Sequence, residues 1–165
     1  VLKYFISINQ FSFKKIHFIC KGNINRSPFA EQLFKDFLQK GSHSGIQKVT
    51  SSGTISKPFR HCSREAIKVA KTFNIELSNS LSKKEFTYDE KDCIYIVFDK
   101  HNFDEVSRKF IPNSNLLIPI SIFRTFPKYF FGISDPHGKK EKDFRNCFLN
   151  IEKSLKCFFN NKWSL

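Results

Sequence analysis

The chain has 165 residues, enough for one domain with a sizeable core. Its 28 Lys and Arg against 15 Asp and Glu give a formal charge of +13, which favours anionic partners such as phosphorylated substrates, nucleic acid or an acidic surface. The five cysteines form no CxxC pair and show no zinc-type Cys/His spacing, which argues against a metal site and suits a reducing cytoplasm.

Val1 to Lys15 is apolar in parts, but Asn9 and Gln10 interrupt it and it is too short to span a membrane. No methionine occurs, so residues 1–15 are read as an N-terminal extension of uncertain status and 16–165 as the domain. Ile16 to Ile19 is an apolar run of strand length. Cys20-Lys21-Gly22-Asn23-Ile24-Asn25-Arg26-Ser27 follows, and a helical pattern begins at Pro28, a residue suited to the first helical turn.

That arrangement is a phosphate cradle with a thiol at its base. A helix N-terminus offers unpaired N–H groups and a partial positive charge, and a tight loop before it completes an anion site. Gly22 and Asn23 both tolerate backbone angles that other residues avoid. Arg26 presents a planar fork matched to two phosphate oxygens. Cys20 stands where loop amides, helix dipole and Arg26 converge, the electropositive setting in which a thiol becomes a nucleophile. The Ser27 hydroxyl is placed to donate to the sulfur. Lys21, Gly22, Asn23, Ile24, Asn25 and Ser27 are the expected substrate-binding residues.

Beyond the cradle, Phe29, Ala30, Leu33, Phe34, Phe37 and Leu38 recur at helical spacing up to Gly41. Gln47 to Ser51 reads as a second strand, Gly53 to Arg60 as a loop broken by Pro58, and Ser63 onward as a helix ended by Asn74. Ile75 to Lys84 is polar and irregular. Cys93 to Phe98 is a continuous apolar run, the pattern of a strand covered on both faces. Asp99 to Phe110 reads as a helix, Asn115 to Ile120 as a fourth strand, Ser121 to Ser134 as an aromatic-rich loop and Lys142 to Phe159 as a closing helix. Alternating strands and helices predict an α/β domain: a four-stranded parallel sheet with helices on both faces and ligands bound at the carboxyl ends of its strands. Cys62, Cys93, Cys147 and Cys157 are read as structural thiols.

The stretch CKGNINRSPFAE resembles the signature of the low-molecular-weight protein tyrosine phosphatases. Ser52-Gly53-Thr54 is similar to that family's element after the second strand, Ile94 to Asp99 to its later core strand, and Asp135-Pro136 to its general-acid motif. The resemblance implies the phosphotyrosine protein phosphatase I-like fold and hydrolysis of phosphotyrosine through a phosphocysteine. Cys20 would be the nucleophile, Arg26 the phosphate ligand and Asp135 the acid and then the base. No metal or cofactor would be needed. It also implies a phosphotyrosine protein or peptide as partner, no nucleic acid or membrane, a monomer and a cytoplasmic location.

Several positions depart from the family pattern. Asn25 stands where many members carry a second cysteine, His137 where an aromatic follows Asp-Pro, and Lys21 where an apolar residue is usual. Ser80 and Lys83 stand where histidine and arginine are frequent. Phe59, Tyr129, Phe130 and Phe131 either rebuild an aromatic wall beside the cradle or pack in the core. Two other functions fit the same residues: a thiol-dependent arsenate reductase of the same fold, and a non-catalytic binder of phosphate or nucleic acid. Arsenate-dependent thiol oxidation would mark the first. Salt-sensitive nucleic-acid binding without turnover would mark the second.

Overall fold

The computed structural model describes residues 13–41, 45–55, 57–83, 90–110, 115–123 and 132–163, with side chains to residue 159. Strands β1 (Lys15–Cys20), β2 (Lys48–Gly53), β3 (Cys93–Val97) and β4 (Leu116–Pro119) alternate with helices α1 (Arg26–Lys40), α2 (Arg64–Lys71) and α3 (Lys100–Ser107). A 3-10 turn (Ile120–Phe123) follows β4, and α4 (Glu141–Trp163) closes the fold. The strands pair in parallel in the order β2-β1-β3-β4. Parallel neighbours need crossover connections, which the intervening helices supply.

Period-two alternation in β1 decides which side chains face which layer. Ile16, Phe18 and Cys20 join the larger core with Phe29, Leu33 and Phe34 of α1 and Phe144, Phe148, Ile151 and Leu155 of α4. Ile19 joins the smaller core with Tyr95, Val97, Leu117 and Val106, where Phe103 and Phe110 of the α3 region pack. The rings of Phe29 and Phe148 stack with centroids 3.9 Å apart, tying α1 to α4. Truncating either ring to alanine would cost about 3–5 kcal/mol. Phe13 is also buried, so the core begins before the first strand. Residues 1–12 lie outside the described residues.

The helix expected from Pro28 begins at Arg26. The cradle's last residues make the first turn of α1, so Arg26 is held by helical hydrogen bonding rather than carried on a loop. Gly41 caps α1 as expected, but in an extended conformation, with its N–H donating to Phe37 O. Ser63 caps α2 by accepting from Ala66 N, and Asp99 caps α3 by accepting from Asn102 N. Asn74 ends the α2 region with φ of 59°, a left-handed conformation that asparagine tolerates.

Among the described residues, no helix is long and apolar enough to cross a membrane.

Candidate active site

Cys20 is the last residue of β1, and five residues separate it from the start of α1. This is the carboxyl edge of the sheet, where the cradle was expected. The loop closes on its own sulfur. Asn23 N–H donates to Cys20 Sγ at 3.3 Å, and Ser27 Oγ lies 3.1 Å from it. Asn23 takes the left-handed φ of 52° that turns its N–H inward. Gly53 closes the cradle from β2: a Cβ there would stand 2.8 Å from Lys21 O and 3.2 Å from Gly22 C. Only glycine fits, which gives the Ser-Gly-Thr element its physical reason.

A hydrogen-bond relay fixes proton directions below the loop. The Asn23 side-chain amide donates to both Ser27 Oγ and Ser51 Oγ, each at 2.9 Å. Both hydroxyls therefore accept from Asn23 and have their own protons to give elsewhere. Ser51 gives its proton to Glu31 Oε2 at 2.6 Å. Ser27 can give its proton to Cys20 Sγ, with Ser52 O as the alternative acceptor at 3.3 Å. The amide of Lys83 holds Asn23 Oδ1 at 2.8 Å, which fixes the amide's orientation. Burial works against the Glu31 charge, but Lys35, Ser51 and Lys83 hold its carboxyl below the usual carboxylate range. Lys83, at a position where the family pattern differs, thus supports the cradle by both its backbone and its ammonium group.

Arg26 is buried, with its side chain 1% exposed. Nη1 donates to Asp99 Oδ2 at 2.5 Å and to Ile133 O at 2.8 Å, and Nη2 donates to Asp135 Oδ2 at 2.8 Å. Nε has no partner among the described residues. Burial disfavours the cation, but the facing groups of Cys20, Asp135 and Asp99 raise its pKa above the ordinary arginine value. Asp99 escaped the sequence reading, where it served as the end of a strand and the start of a helix. An acid at the carboxyl end of a central parallel strand was the available signal.

Asp135 reaches this centre from a loop pinned by Ile133, whose N–H donates to Phe98 O at 2.6 Å. Gly132 makes that contact feasible: it has φ of 76°, and a Cβ would fall 2.3 Å from Phe98 O. Asp135 Oδ1 accepts from His137 N at 3.1 Å, a turn that fixes the carboxylate. The His137 side chain is exposed.

The structure brings Cys20, Arg26, Ser27, Asn23 and Asp135 together. Asn25 does not cap α1 with its side chain; its Oδ1 accepts from Ser63 Oγ at 2.7 Å, tying the cradle to α2. Gly22 O accepts from Arg60 Nη2 at 2.7 Å. The Lys21 side chain is exposed at the rim and Ile24 is half-buried. Phe59 is 78% exposed, so it is no core residue. Tyr129, Phe130 and Phe131 lie outside the described residues. A groove of about 510 Å³ runs beside α1, lined by Pro28, Glu31, Ser51, Phe59, Leu81 and Lys83. It includes neither Cys20 nor Arg26 and lies on the far side of the relay from the sulfur.

The profile of the low molecular weight phosphotyrosine protein phosphatases matches residues 15–162. The chain belongs to that family. Membership makes it a phosphatase, a hydrolase of the protein-tyrosine-phosphatase class. It is 23% identical over 151 residues to the low molecular weight phosphotyrosine protein phosphatase of Rattus norvegicus, covering 88% of this chain and 93% of that one. A crystal structure of a protein tyrosine phosphatase from Entamoeba histolytica, with Hepes in its active site, superposes with a TM-score of 0.77 at 24% identity, covering 89% and 95%. A structure of the YwlE arginine phosphatase with a phosphorylated active-site serine superposes with a TM-score of 0.76 at 19% identity, covering 89% and 94%.

Proposed function

We propose that this phosphatase hydrolyses phosphotyrosine, and small aryl phosphates, through a phosphocysteine at Cys20. The observation that carries the reading is the convergence on one sulfur of an inward N–H and a serine hydroxyl, within the field of a buried arginine. The Cys20 thiolate attacks phosphorus in line while the tyrosyl oxygen departs. Arg26 and the cradle amides hold the equatorial oxygens as charge spreads over them. Displaced from Arg26 by the phosphate, Asp135 takes up a proton from solvent and gives it to the departing phenolate, returning to the carboxylate form. That carboxylate then takes a proton from water, the water oxygen attacks phosphorus and the S–P bond breaks. Ser27 donates to the sulfur as it leaves.

Arg26 Nε and Nη2 are the pair of donors suited to two phosphate oxygens. Nε is available for this, while Nη2 holds Asp135. Phosphate entry therefore exchanges Asp135 off the guanidinium and leaves its carboxyl beside the leaving group. Lys21, Gly22, Asn23, Ile24, Asn25 and Ser27 shape the cradle around that phosphate.

A thiol-dependent arsenate reductase is less well supported. Such a reaction hands oxidation from the first thiol to others, and three of the other four cysteines, Cys62, Cys93 and Cys147, are buried and unsuited to that. Burial pushes Cys93 and Cys147 up to about 12; for Cys62 burial and then the nearby Cys20 charge do the same. The test is turnover of phosphotyrosine peptide, phosphoserine peptide, phosphoarginine and arsenate with thiol. The reading requires phosphotyrosine to be turned over fastest. Faster turnover of phosphoarginine or arsenate would replace it.

A further inference from the structure

The cradle is framed by three stretches of chain, and their charges are one-sided. Residues 54–55 and 57–60 lie against it through Ile55 N to Lys21 O at 3.2 Å and Arg60 Nη2 to Gly22 O at 2.7 Å. Residues 78–83 join that loop through Phe59 N to Ser82 O at 2.7 Å and reach the cradle through Lys83 N to Asn23 Oδ1. Residues 133–140 carry the acid, and Lys139 N turns back to Pro136 O at 3.0 Å. Across these stretches and the cradle edge stand Lys21, Lys57, Arg60, Lys83, Lys139 and Lys140. The only carboxylate in the same three stretches is Asp135, which Arg26 holds; just beyond them Asp143 accepts from the Lys140 amide at 3.2 Å and Glu141 pairs with Lys68.

Ion pairing does not offset the rim charges, although some basic residues elsewhere, such as Arg64 and Lys71, are likewise without a carboxylate within 4.0 Å among the described residues. Lys15, Lys35, Lys40, Lys48, Lys68, Lys100 and Lys156 each have a carboxylate within 4.0 Å. Among the described residues, no carboxylate lies that close to Lys21, Lys57, Arg60, Lys139 or Lys140. Arg60 is further constrained: Nε donates to Lys57 O at 3.1 Å and Nη2 to Gly22 O, so its guanidinium charge is fixed against the outside of the cradle. A phosphotyrosine ring rising from the cradle carries its flanking residues over this rim. A dianionic phosphate satisfies Arg26 and the loop amides, and leaves the rim charges to whatever flanks the ring.

We propose that the rim selects phosphotyrosine set among acidic residues, with Lys21, Lys57 and Arg60 meeting one flank and Lys139 and Lys140 the other. The inference rests on the phosphotyrosine reading above and adds the sequence class of its substrate. Exposed charges act over roughly 30 Å at about 0.01 M salt and about 8 Å at physiological salt. The selection is therefore expressed mainly in kcat/KM and fades as salt rises.

Two phosphotyrosine peptides of equal length test it, one flanked by Asp and Glu and one by Lys, beside para-nitrophenyl phosphate. At about 0.01 M ionic strength the acidic peptide should have the higher kcat/KM by about tenfold or more, narrowing severalfold at about 0.15 M. The Lys57→Glu/Lys139→Glu variant should erase most of that preference while keeping the wild-type kcat on para-nitrophenyl phosphate, whose kcat/KM falls only by the steering of its own dianion. Equal kcat/KM for the two peptides, or a preference untouched by the charge reversal, overturns the proposal. Fluorescence anisotropy of the same peptides on Cys20→Ser reads the preference without chemistry: tighter binding of the acidic peptide supports it, and equal affinities overturn it. Absence of turnover on every phosphate ester would instead count against the phosphotyrosine reading, while the anisotropy ranking would still decide the rim.

Discussion

Asp135 accepts from Arg26 Nη2 at 2.8 Å, so the group assigned to protonate the leaving oxygen is bound to the group assigned to hold phosphate. The two functions compete for one guanidinium edge. Removing the carboxylate should help binding and harm chemistry. Asp135→Ala should bind vanadate about fivefold more tightly, the equivalent of a half-exposed ion pair of about 1 kcal/mol. Asp135→Asn should slow phosphotyrosine by about 100- to 10,000-fold, and slow an ester of a very acidic phenol much less, because that phenolate leaves without a proton. Equal losses on both esters, in a steady-state comparison, would move the acid elsewhere. His137→Ala tests the neighbour in sequence.

Asp99 grips the opposite edge of the same guanidinium. Asp99→Asn keeps the shape but weakens the charge-assisted bond, which is worth about 1.5–3 kcal/mol. Both kcat/KM for aryl phosphate and vanadate affinity should fall by about tenfold or more, and the slope against leaving-group pKa should stay that of the wild type. A changed slope would mean that Asp99 touches the proton transfer and does more than position Arg26.

Asn23 holds a left-handed backbone and donates to two serines. Asn23→Ala removes both donors and puts a residue less tolerant of φ of 52° at the turn. Stability should fall on the order of 2 kcal/mol in urea denaturation. Ser51→Ala removes one link and leaves the backbone unstrained. It should therefore retain more activity than Asn23→Ala, and the reverse order in kcat would break the relay account.

Gly132→Ala should cripple turnover without touching any reacting group. Its Cβ meets Phe98 O at 2.3 Å, so the segment that delivers Ile133 O and Asp135 to Arg26 must shift. A displacement of about 1 Å can cost about 100-fold in rate. Wild-type kcat for this variant would show that the acid segment can be held another way.

His17 predicts a pH dependence of stability. It is buried on the sheet face away from α1, with Nδ1 2.6 Å from Thr50 Oγ1 and Nε2 2.8 Å from Ser52 Oγ. Burial, and then the charge of Lys83, push its pKa from 6.5 down to about 3. The folded state thus binds fewer protons than the unfolded state between those values. Its contribution is complete above about pH 6.5 and is lost as pH falls towards 3, by about 2 kcal/mol between pH 6.5 and 5. Glu31 and Glu90, both lowered, act in the same direction, so the comparison must be with a His17→Gln variant. Urea midpoints of that variant should fall less steeply from pH 6.5 to 5, and identical slopes would contradict the assignment.

Local pattern made much of this site readable. An apolar run, a glycine-containing loop, an arginine and a proline-opened helix are contiguous in the chain, and each constrains the next. Distance in sequence hid the rest. Asp99 lies 73 residues from Arg26, and its role as the cap of α3 gave it a sufficient local explanation. Lys83 sits in an irregular polar segment with no period to mark which groups turn inward, yet it holds both Asn23 and Glu31. His17 in a strand of hydrophobic residues carried no sign of the two hydroxyls that β2 brings beside it. The start of α1 at Arg26 was obscured by Pro28, whose preference for the first turn also accommodates its third residue.

The central claim is that Cys20 takes the phosphoryl group. Wild-type enzyme mixed with an aryl phosphate, quenched in alkaline denaturant within one turnover and digested at alkaline pH, where an S–P bond survives, should yield one phosphoryl group on the peptide containing Cys20. The same treatment of Cys20→Ser should release no aryl product while vanadate or phosphate still binds. A phosphoryl group on any other residue, or more than about a tenth of wild-type turnover in Cys20→Ser, well above what loss of an essential nucleophile leaves, would contradict it.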